Sequence, residues 1–244
     1  MCFADVIFLE ACMIFFTSFR DLTKFERILW LSSIGIIAIS SLFSQETNLL
    51  TIIASLIGVT ALIFVAKGYV LGQLLTVVFA AFYGIISFFF CYYGEMITYL
   101  FMTTPIAIFS VISWWRHPYK DTKEVTVYRL SPKQWLFLFL SAAGVTAAFY
   151  FILGALGNAN LLFSTISITT SFIASTLTLY RSPYYAIGYA ANDIILIILW
   201  VLATMEDLSY LPMVLCFILF FANDVYGFYN WRRMQMRQNK NNDN

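Results

Sequence analysis

The chain contains eight apolar segments that are each long enough to cross a bilayer as an α-helix, about 17–25 residues for ~30 Å of hydrocarbon. They lie at 28–44, 49–66, 70–92, 97–115, 134–154, 162–180, 184–203 and 210–231. Only 11% of all residues are charged, whereas a soluble domain carries about 25%. The sequence therefore predicts an all-α integral membrane protein.

The loops between these segments alternate in charge. Counted in order, the loops on one side carry all 14 basic residues: Arg20, Lys24, Arg27, Lys67, Arg116, Lys120, Lys123, Arg129, Lys133, Arg181, Arg232, Arg233, Arg237 and Lys240. Loops on the other side carry acidic residues or no charge, namely Glu46, Glu95, Glu206 and Asp207. Because basic loops stay in the cytoplasm, the pattern predicts eight crossings with both termini cytoplasmic.

Several segments end in similar ways. The matching residues are Lys67 and Arg181, Gly72 and Gly188, and the pairs Trp115-Arg116 and Trp231-Arg232. They relate segments two, three and four to six, seven and eight. An offset of four helices preserves orientation, so the pattern predicts two parallel three-helix repeats joined by a linker helix. The alternative is a chance match, because Trp and Arg are common anchors at membrane interfaces.

This grouping divides the chain into seven regions. The first region, 1–27, contains an interfacial amphipathic helix at 3–19 and the basic loop that follows it. An extra span at 28–44, a first repeat at 49–115 and a cytoplasmic loop at 116–133 come next. A linker helix at 134–154, a second repeat at 162–231 and a cytoplasmic tail at 232–244 complete the chain. Asp5 and Glu10 make the stretch at 3–19 too charged for a span, which favours an interfacial helix.

The last two segments are each interrupted by Ala-Asn-Asp, with Asn192 and Asp193 in the seventh and Asn223 and Asp224 in the eighth. A charge at this depth costs at least ~2.5–3.5 kcal/mol on insertion scales. Two such interruptions in neighbouring helices predict that both helices face a polar cavity. The candidate substrate-binding residues on the same helix faces or nearby are Asn192, Asp193, Tyr189, Trp200, Asn223, Asp224, Tyr226 and, from the third segment, Tyr83.

A cavity lined by amides, hydroxyls, aromatic rings and carboxylates suits a neutral or cationic solute that is rich in hydroxyls and carries a flat ring. No basic residue lies at mid-depth, which disfavours phosphates and other anions. Structural roles remain as alternatives. Asn192 or Asn223 could join helices, and Asp224 could pair with a C-terminal arginine.

The sequence offers little for metal, cofactor or nucleic-acid chemistry. Its four cysteines form no Cys-x-x-Cys pair, and His117 is the one histidine. The net charge of +1 says nothing about nucleic-acid or acidic partners, and we expect no nucleic-acid partner. Paired aspartates also occur in intramembrane aspartyl proteases, but Asp193 lacks the flanking glycines that such a site needs to admit a peptide. We therefore expect neither an enzyme nor a bound cofactor.

The end of the eighth segment, Phe220-Phe221-Ala222-Asn223-Asp224-Val225-Tyr226-Gly227-Phe228-Tyr229-Asn230-Trp231-Arg232, resembles a helix end in the bacterial nicotinamide riboside transporters (PnuC). The resemblance extends more weakly over segments two to eight, through Lys67, Arg181, Tyr83-Gly84 and Asn192. The fourth segment departs from the family pattern, because it reads Thr103-Thr104-Pro105 where an Asn-Tyr-Gly-Trp motif is expected.

The resemblance implies a 3+1+3 fold related to the SWEET sugar transporters, preceded here by one extra N-terminal span. It further implies facilitated diffusion of nicotinamide riboside, a vitamin B3 precursor of NAD, through a central site in the bacterial inner membrane. A homotrimer is the implied assembly. The functional alternative is a SWEET-like sugar carrier or a proton-coupled vitamin carrier.

Overall fold

A computed structural model describes residues 17–43, 49–89, 96–158, 160–206 and 211–241. Within these ranges the chain forms eight α-helices, the fourth preceded by a π-helical segment at Thr98–Thr103. They are α1 Lys24–Phe43, α2 Leu49–Ala66, α3 Val70–Phe89, α4 Thr104–Trp115, α5 Pro132–Ala155, α6 Leu161–Leu179, α7 Tyr185–Glu206 and α8 Leu211–Lys240.

Each apolar segment found in the sequence coincides with one of these helices. Within the described residues, five helical stretches are long and apolar enough to cross a membrane: Thr98–Trp115, Pro132–Ala155, Leu161–Leu179, Tyr185–Leu202 and Met213–Lys240. The apolar helices Ile52–Ala66 and Val70–Ile85 are shorter. The protein is therefore an all-helical membrane protein.

Helix α1 begins at Lys24, four residues before the predicted span, because Thr23 and Glu26 cap it. The Thr23 amide donates to Glu26 Oε2 at 2.7 Å, and the Glu26 amide donates to Thr23 Oγ1 at 3.3 Å. This is a capping box, which satisfies backbone donors at a helix start. Residues 17–20 form one helical turn before it. The rest of the predicted interfacial helix at 3–19 lies outside the described residues.

Helix α8 continues to Lys240, so most of the predicted cytoplasmic tail at 232–244 is helical. The extension is held because one of its faces is buried. This face contains Met234, Gln235 and Gln238, which are each no more than 5% exposed. Gln238 lies four residues after Met234 and three after Gln235, so the three side chains share one side of the helix. Gln238 accepts a hydrogen bond from the Val127 amide and donates one to the Val125 carbonyl. The helix thereby binds the 116–133 loop.

Consecutive helices pack against each other in two groups. In one group α2 contacts α3 and α3 contacts α4; in the other α6 contacts α7 and α7 contacts α8. The groups are joined by α2 against α8 and by α4 against α6. Helix α1 packs on α2 and α8, and α5 packs on α6. The six helices of the two groups therefore surround a common centre.

The turns after α2 and α6 have the same backbone geometry. In each, a residue with positive φ follows the helix: Gly68 at φ 71° and Arg181 at φ 56°. The amides of Gly68 and Tyr69 donate to carbonyls of the last turn of α2, and those of Arg181 and Ser182 do the same in α6. These are Schellman caps. Arg181 therefore matches Gly68 and not Lys67, one residue away from the pairing expected from the sequence.

Two tryptophans make matching contacts at the same end of the bundle. Trp114 Nε1 donates to the Thr178 carbonyl, and Trp231 Nε1 donates to the Val65 carbonyl, both at 2.9 Å. Both side chains are fully buried, and their ring centroids lie 5.3 Å apart. The sequence pairing of Trp115 with Trp231 is thus off by one position, because Trp115 is 74% exposed. The buried pair joins the two helix groups through packing.

The 116–133 loop is fastened to both groups. The Val125 amide donates to the Gly68 carbonyl, and the Tyr128 amide donates to the Arg181 carbonyl. The loop thus bonds to both Schellman turns at once. Arg181 contributes further, because its guanidinium donates to Ser113 Oγ at 2.7 Å and to the Thr126 carbonyl at 3.2 Å. These bonds compensate for the unfavourable left-handed backbone of a non-glycine residue.

A buried ion pair fixes α1 to the rest of the bundle. Glu26 is 2% exposed and lies 2.9 Å from Lys67 at the end of α2. The Tyr226 hydroxyl of α8 donates to the same carboxylate at 2.7 Å. Burial opposes ionisation of Glu26, but bonds from the Thr23 amide, Tyr226 and Lys67 outweigh it and lower the pKa of this carboxyl. One carboxylate therefore connects three helices.

We expect Glu26→Ala to lower stability by about 3–5 kcal/mol, because it leaves Lys67 buried without its counter-charge. The matched control is Asp21→Ala, which removes the carboxylate of the Asp21–Lys123 pair. Both side chains of that pair are about 40% exposed, so its loss should cost under about 1 kcal/mol. Thermal unfolding in detergent measures both. Equal effects of the two substitutions would contradict a special role for Glu26.

Candidate functional site

A small cavity lies at the centre of the six-helix arrangement. Helices α2, α3, α6, α7 and α8 line it together with the π segment before α4. The polar and aromatic residues that line it are Gln73, Thr76, Phe79, Tyr99, Thr103, Ser171, Tyr185, Tyr189, Asn192, Asp193, Phe217, Phe220 and Asp224. The cavity measures about 90 Å³, below the ~300–1,000 Å³ of a typical small-molecule site. In this structure the cavity is therefore too small to hold a typical small-molecule ligand.

Asp193 and Asp224 meet in this cavity, as the paired Ala-Asn-Asp sequences predicted. Both side chains line the cavity and are almost fully buried, at 3% exposure for Asp193 and 4% for Asp224. Asp193 Oδ2 has no hydrogen-bond partner among the described residues. Two buried carboxylates that line one cavity repel each other unless a positive charge or a hydrogen-bond donor lies between them. The pair is suited to receive a cation or a hydrogen-bond donor.

Asn192 lines the same cavity from α7. Its Oδ1 accepts hydrogen bonds from Ser167 and Thr170 of α6, each at 3.0 Å. The two hydroxyls fix the orientation of the amide, and Nδ2 remains as the donor that Asn192 can offer to a solute. Asn192 therefore has the interhelical role that the sequence left open, and its binding role stays a prediction.

Hydroxyls and one further amide complete the polar lining. Tyr189, a predicted site residue, contacts Ser175 Oγ through its hydroxyl at 3.0 Å. Gln73 of α3 is 2% exposed and lines the cavity; the sequence reasoning missed it, although it is an amide one turn from Thr76. Thr103 Oγ1 is buried without a partner among the described residues. Its backbone ends the π segment that precedes Pro105, where proline removes a helical donor.

An aromatic layer separates the central cavity from a second, smaller one. Phe79, Tyr99, Phe217 and Phe220 line both. The Phe79 ring packs edge-on against Tyr99 and Phe220, with centroids 6.1 and 6.5 Å away. The second cavity measures about 30 Å³ and is lined by Tyr83, which therefore lies beyond the layer. These rings must separate if a solute is to pass between the cavities.

Besides Tyr83, three further predicted site residues do not line the central cavity. Asn223 turns towards α1, where its Nδ2 lies 3.4 Å from Ser33 Oγ and 2.8 Å from the Leu219 carbonyl. Tyr226, one turn further along α8, donates to Glu26. Successive residues of a helix point about 100° apart, so Asp224 faces the cavity while Asn223 faces α1. Trp200 lies two turns beyond Asp193 and is half-buried outside the cavity lining.

The electrostatic character of the cavity is acidic. Among the described residues that line it, two are carboxylic acids and none is basic. Within the same described ranges no group of three or more His, Cys, Asp or Glu side chains is placed to hold a metal ion. Tyr and Phe faces attract positive charge, as carboxylates do. The arrangement can therefore bind a small cationic or neutral polar solute with an aromatic ring.

Membrane-length helices around a small polar central cavity are the arrangement of a membrane transport protein for small solutes. The family model described as nicotinamide mononucleotide transporter matches residues 48–233. The chain belongs to this family of multi-pass bacterial membrane transporters.

The relatives agree on the class of protein. The chain is 27% identical over 224 residues to a nicotinamide riboside transporter PnuC of Neisseria mucosa, covering 90% of this chain and 85% of the relative. It is 22% identical over 215 residues to the PnuC of Haemophilus influenzae, covering 87% and 92%. A crystal structure of the vitamin B3 transporter PnuC matches with a TM-score of 0.76 and 26% identity, covering 89% of this chain and 94% of that one.

Proposed function

We propose that this protein transports nicotinamide riboside across the membrane through its central cavity. The observation that carries the proposal is the acidic, aromatic lining without a basic residue among the described positions. Nicotinamide riboside is a pyridinium cation with a carboxamide and ribose hydroxyls. Asp193 and Asp224 supply the counter-charge, and Asn192 supplies an amide donor. The names of the two curated relatives support the same solute.

The cavity chemistry favours the riboside over the mononucleotide of the family description. A phosphomonoester carries about −1.5 to −2 charges at neutral pH. In the central cavity it would meet Asp193 and Asp224 and no lining cation. Phosphate recognition normally uses Arg, Lys or backbone amides at a helix start. A neutral sugar is also less suited than a pyridinium, because it offers the aspartate pair no positive charge.

The expected test is direct binding to purified protein, followed by uptake into proteoliposomes. Nicotinamide riboside should bind at least about tenfold more tightly than nicotinamide mononucleotide, which corresponds to 1.4 kcal/mol or more. Because we propose facilitated diffusion, uptake should stop when the two sides are equal. Nicotinic acid riboside, thiamine and sucrose are the comparison solutes. Equal binding of the mononucleotide, or accumulation driven by a proton or sodium gradient, would contradict the proposal.

Asn192 and Asn223 provide a matched pair of substitutions. Asn192→Ala should weaken nicotinamide riboside binding by ~5–150-fold, because a ligand group loses one hydrogen bond worth about 1–3 kcal/mol in a dry site. Asn223→Ala should leave the Kd unchanged and lower the thermal unfolding midpoint, because its amide bonds to α1 and its own helix. Calorimetry and thermal unfolding separate the two effects. If Asn223→Ala lost more affinity than Asn192→Ala, the binding site would lie on the face of α8 that packs against α1.

We further propose that the two helix groups are parallel repeats, α2–α4 (49–115) and α6–α8 (162–231), in the 3+1+3 arrangement of SWEET-like proteins. Helix α5 would be the linker and α1 the extra span. The matched Schellman turns and tryptophan contacts support this. The same relation holds for Ser113 and Asn230, whose side chains donate to the Leu179 and Ala66 carbonyls. A homotrimer in the bacterial inner membrane belongs to the same proposal.

The proposed topology has eight crossings with both ends cytoplasmic, and it rests on the distribution of basic residues. Single cysteines at Lys123 and Asn158, in a cysteine-free background, should react from opposite sides of the membrane. An impermeant thiol reagent added outside should label Asn158→Cys only, and permeabilised cells should label both. Outside labelling of Lys123→Cys would overturn this orientation.

A further inference from the structure

A third cavity lies apart from the central one and from the one that Tyr83 lines, at the end of the bundle where the basic residues are. It measures about 700 Å³ and opens between the start of α1, the 116–133 loop and the last part of α8. Its charged lining residues are Glu26, Lys67, Glu124, Arg233 and Arg237. None of these residues lines the central cavity. The transport proposal therefore leaves this cavity unexplained.

The charges in this cavity do not balance. Lys67 is paired with Glu26, and Arg237 is paired with Glu124. Among the described residues Arg233 makes no ion pair, and its guanidinium lies 5.6 Å from the centre of the Tyr229 ring. One positive charge is thus left over where both carboxylates are engaged. An anion bound here would meet Arg233 directly, with Arg237 beside it on the next helical turn.

The surface next to Arg233 is apolar and faces outwards. On α1, Phe25 and Ile28 are 58% and 67% exposed, and on α8, Val225 and Tyr229 are 51% and 62% exposed. Each pair is three or four residues apart, so each forms a stripe along its helix. In a membrane-spanning helix such side chains face lipid. The two stripes lead away from the charged cavity along neighbouring helices, which contact each other.

From this combination we propose that the cavity binds the headgroup of an acidic phospholipid. The phosphate lies against Arg233, and the acyl chains follow the stripes on α1 and α8. A charged pocket above two apolar tracks matches the shape of a phospholipid. Basic pockets between helices at this level of a membrane protein commonly hold anionic headgroups. A soluble phosphate would use the pocket but not the stripes.

The test is a lipid titration of the purified protein in detergent, read as the thermal unfolding midpoint. Dioctanoyl phosphatidylglycerol should stabilise the wild type, and dioctanoyl phosphatidylcholine should not. Arg233→Gln should raise the apparent Kd for phosphatidylglycerol by about tenfold or more, because a charge-assisted hydrogen bond is lost. Arg233→Lys, which keeps the charge, should lose less.

Arg232→Gln is the matched control, because it removes the same charge one residue away. Arg232 bonds to Gln235 and does not line the cavity. It should bind phosphatidylglycerol like the wild type. Equal losses in Arg232→Gln and Arg233→Gln would mean unspecific charge attraction and would overturn the proposal. So would equal stabilisation by glycerol 3-phosphate, which would indicate a soluble phosphate ester instead.

A second measurement does not depend on any substitution. Native mass spectrometry of the wild-type protein, released from nanodiscs of equal phosphatidylglycerol and phosphatidylcholine, should show phosphatidylglycerol retained preferentially. Retention of both lipids in equal amounts would reject the site. The outcome is independent of whether nicotinamide riboside is the transported solute, so a failure here leaves the transport proposal unaffected.

Discussion

The cost of placing polar groups in hydrocarbon governs this structure. Asp193 and Asp224 lie in helices otherwise built from apolar residues, and neither could face lipid without a large penalty. The helices are therefore arranged so that both carboxylates face one internal cavity. The same constraint explains why Asn192 is held by two hydroxyls and why Asn223 bonds to α1. The two asparagines are thus both bonded to a neighbouring helix.

The sequence predicted the helices well, because apolar length and turn signals are local properties. It predicted Asp193, Asp224, Asn192 and Tyr189 as cavity residues for a physical reason: carboxylates and amides at mid-depth must face inwards. It could not decide between the neighbours Asn223 and Asp224. Their directions differ by about 100°, and which of them meets the cavity depends on where α1 packs. That position is set by Glu26, Lys67 and Tyr226, which lie far apart in sequence.

The two Schellman turns after α2 and α6 match in backbone geometry and not in side-chain chemistry, so an alignment based on side chains pairs the wrong residues. The sequence aligned Lys67 with Arg181 because both are basic residues at helix ends. In the structure the common feature is the left-handed backbone after α2 and α6, which makes Gly68 the structural equivalent of Arg181. Glycine adopts this conformation freely, whereas Arg181 adopts it because Ser113 and the Thr126 carbonyl hold its guanidinium. Chemically unlike residues thus fill equivalent positions.

The small size of the central cavity means that transport requires a change of conformation. A cavity of about 90 Å³ is well below the ~300–1,000 Å³ of typical small-molecule sites, which is too little for a nucleoside. Opening must therefore move the Phe79, Tyr99 and Phe220 rings or separate α8 from α2. At the other end the bundle is fixed by the buried pair Trp114 and Trp231 and by the loop that bonds both Schellman turns. An opening motion at that end would have to break these contacts.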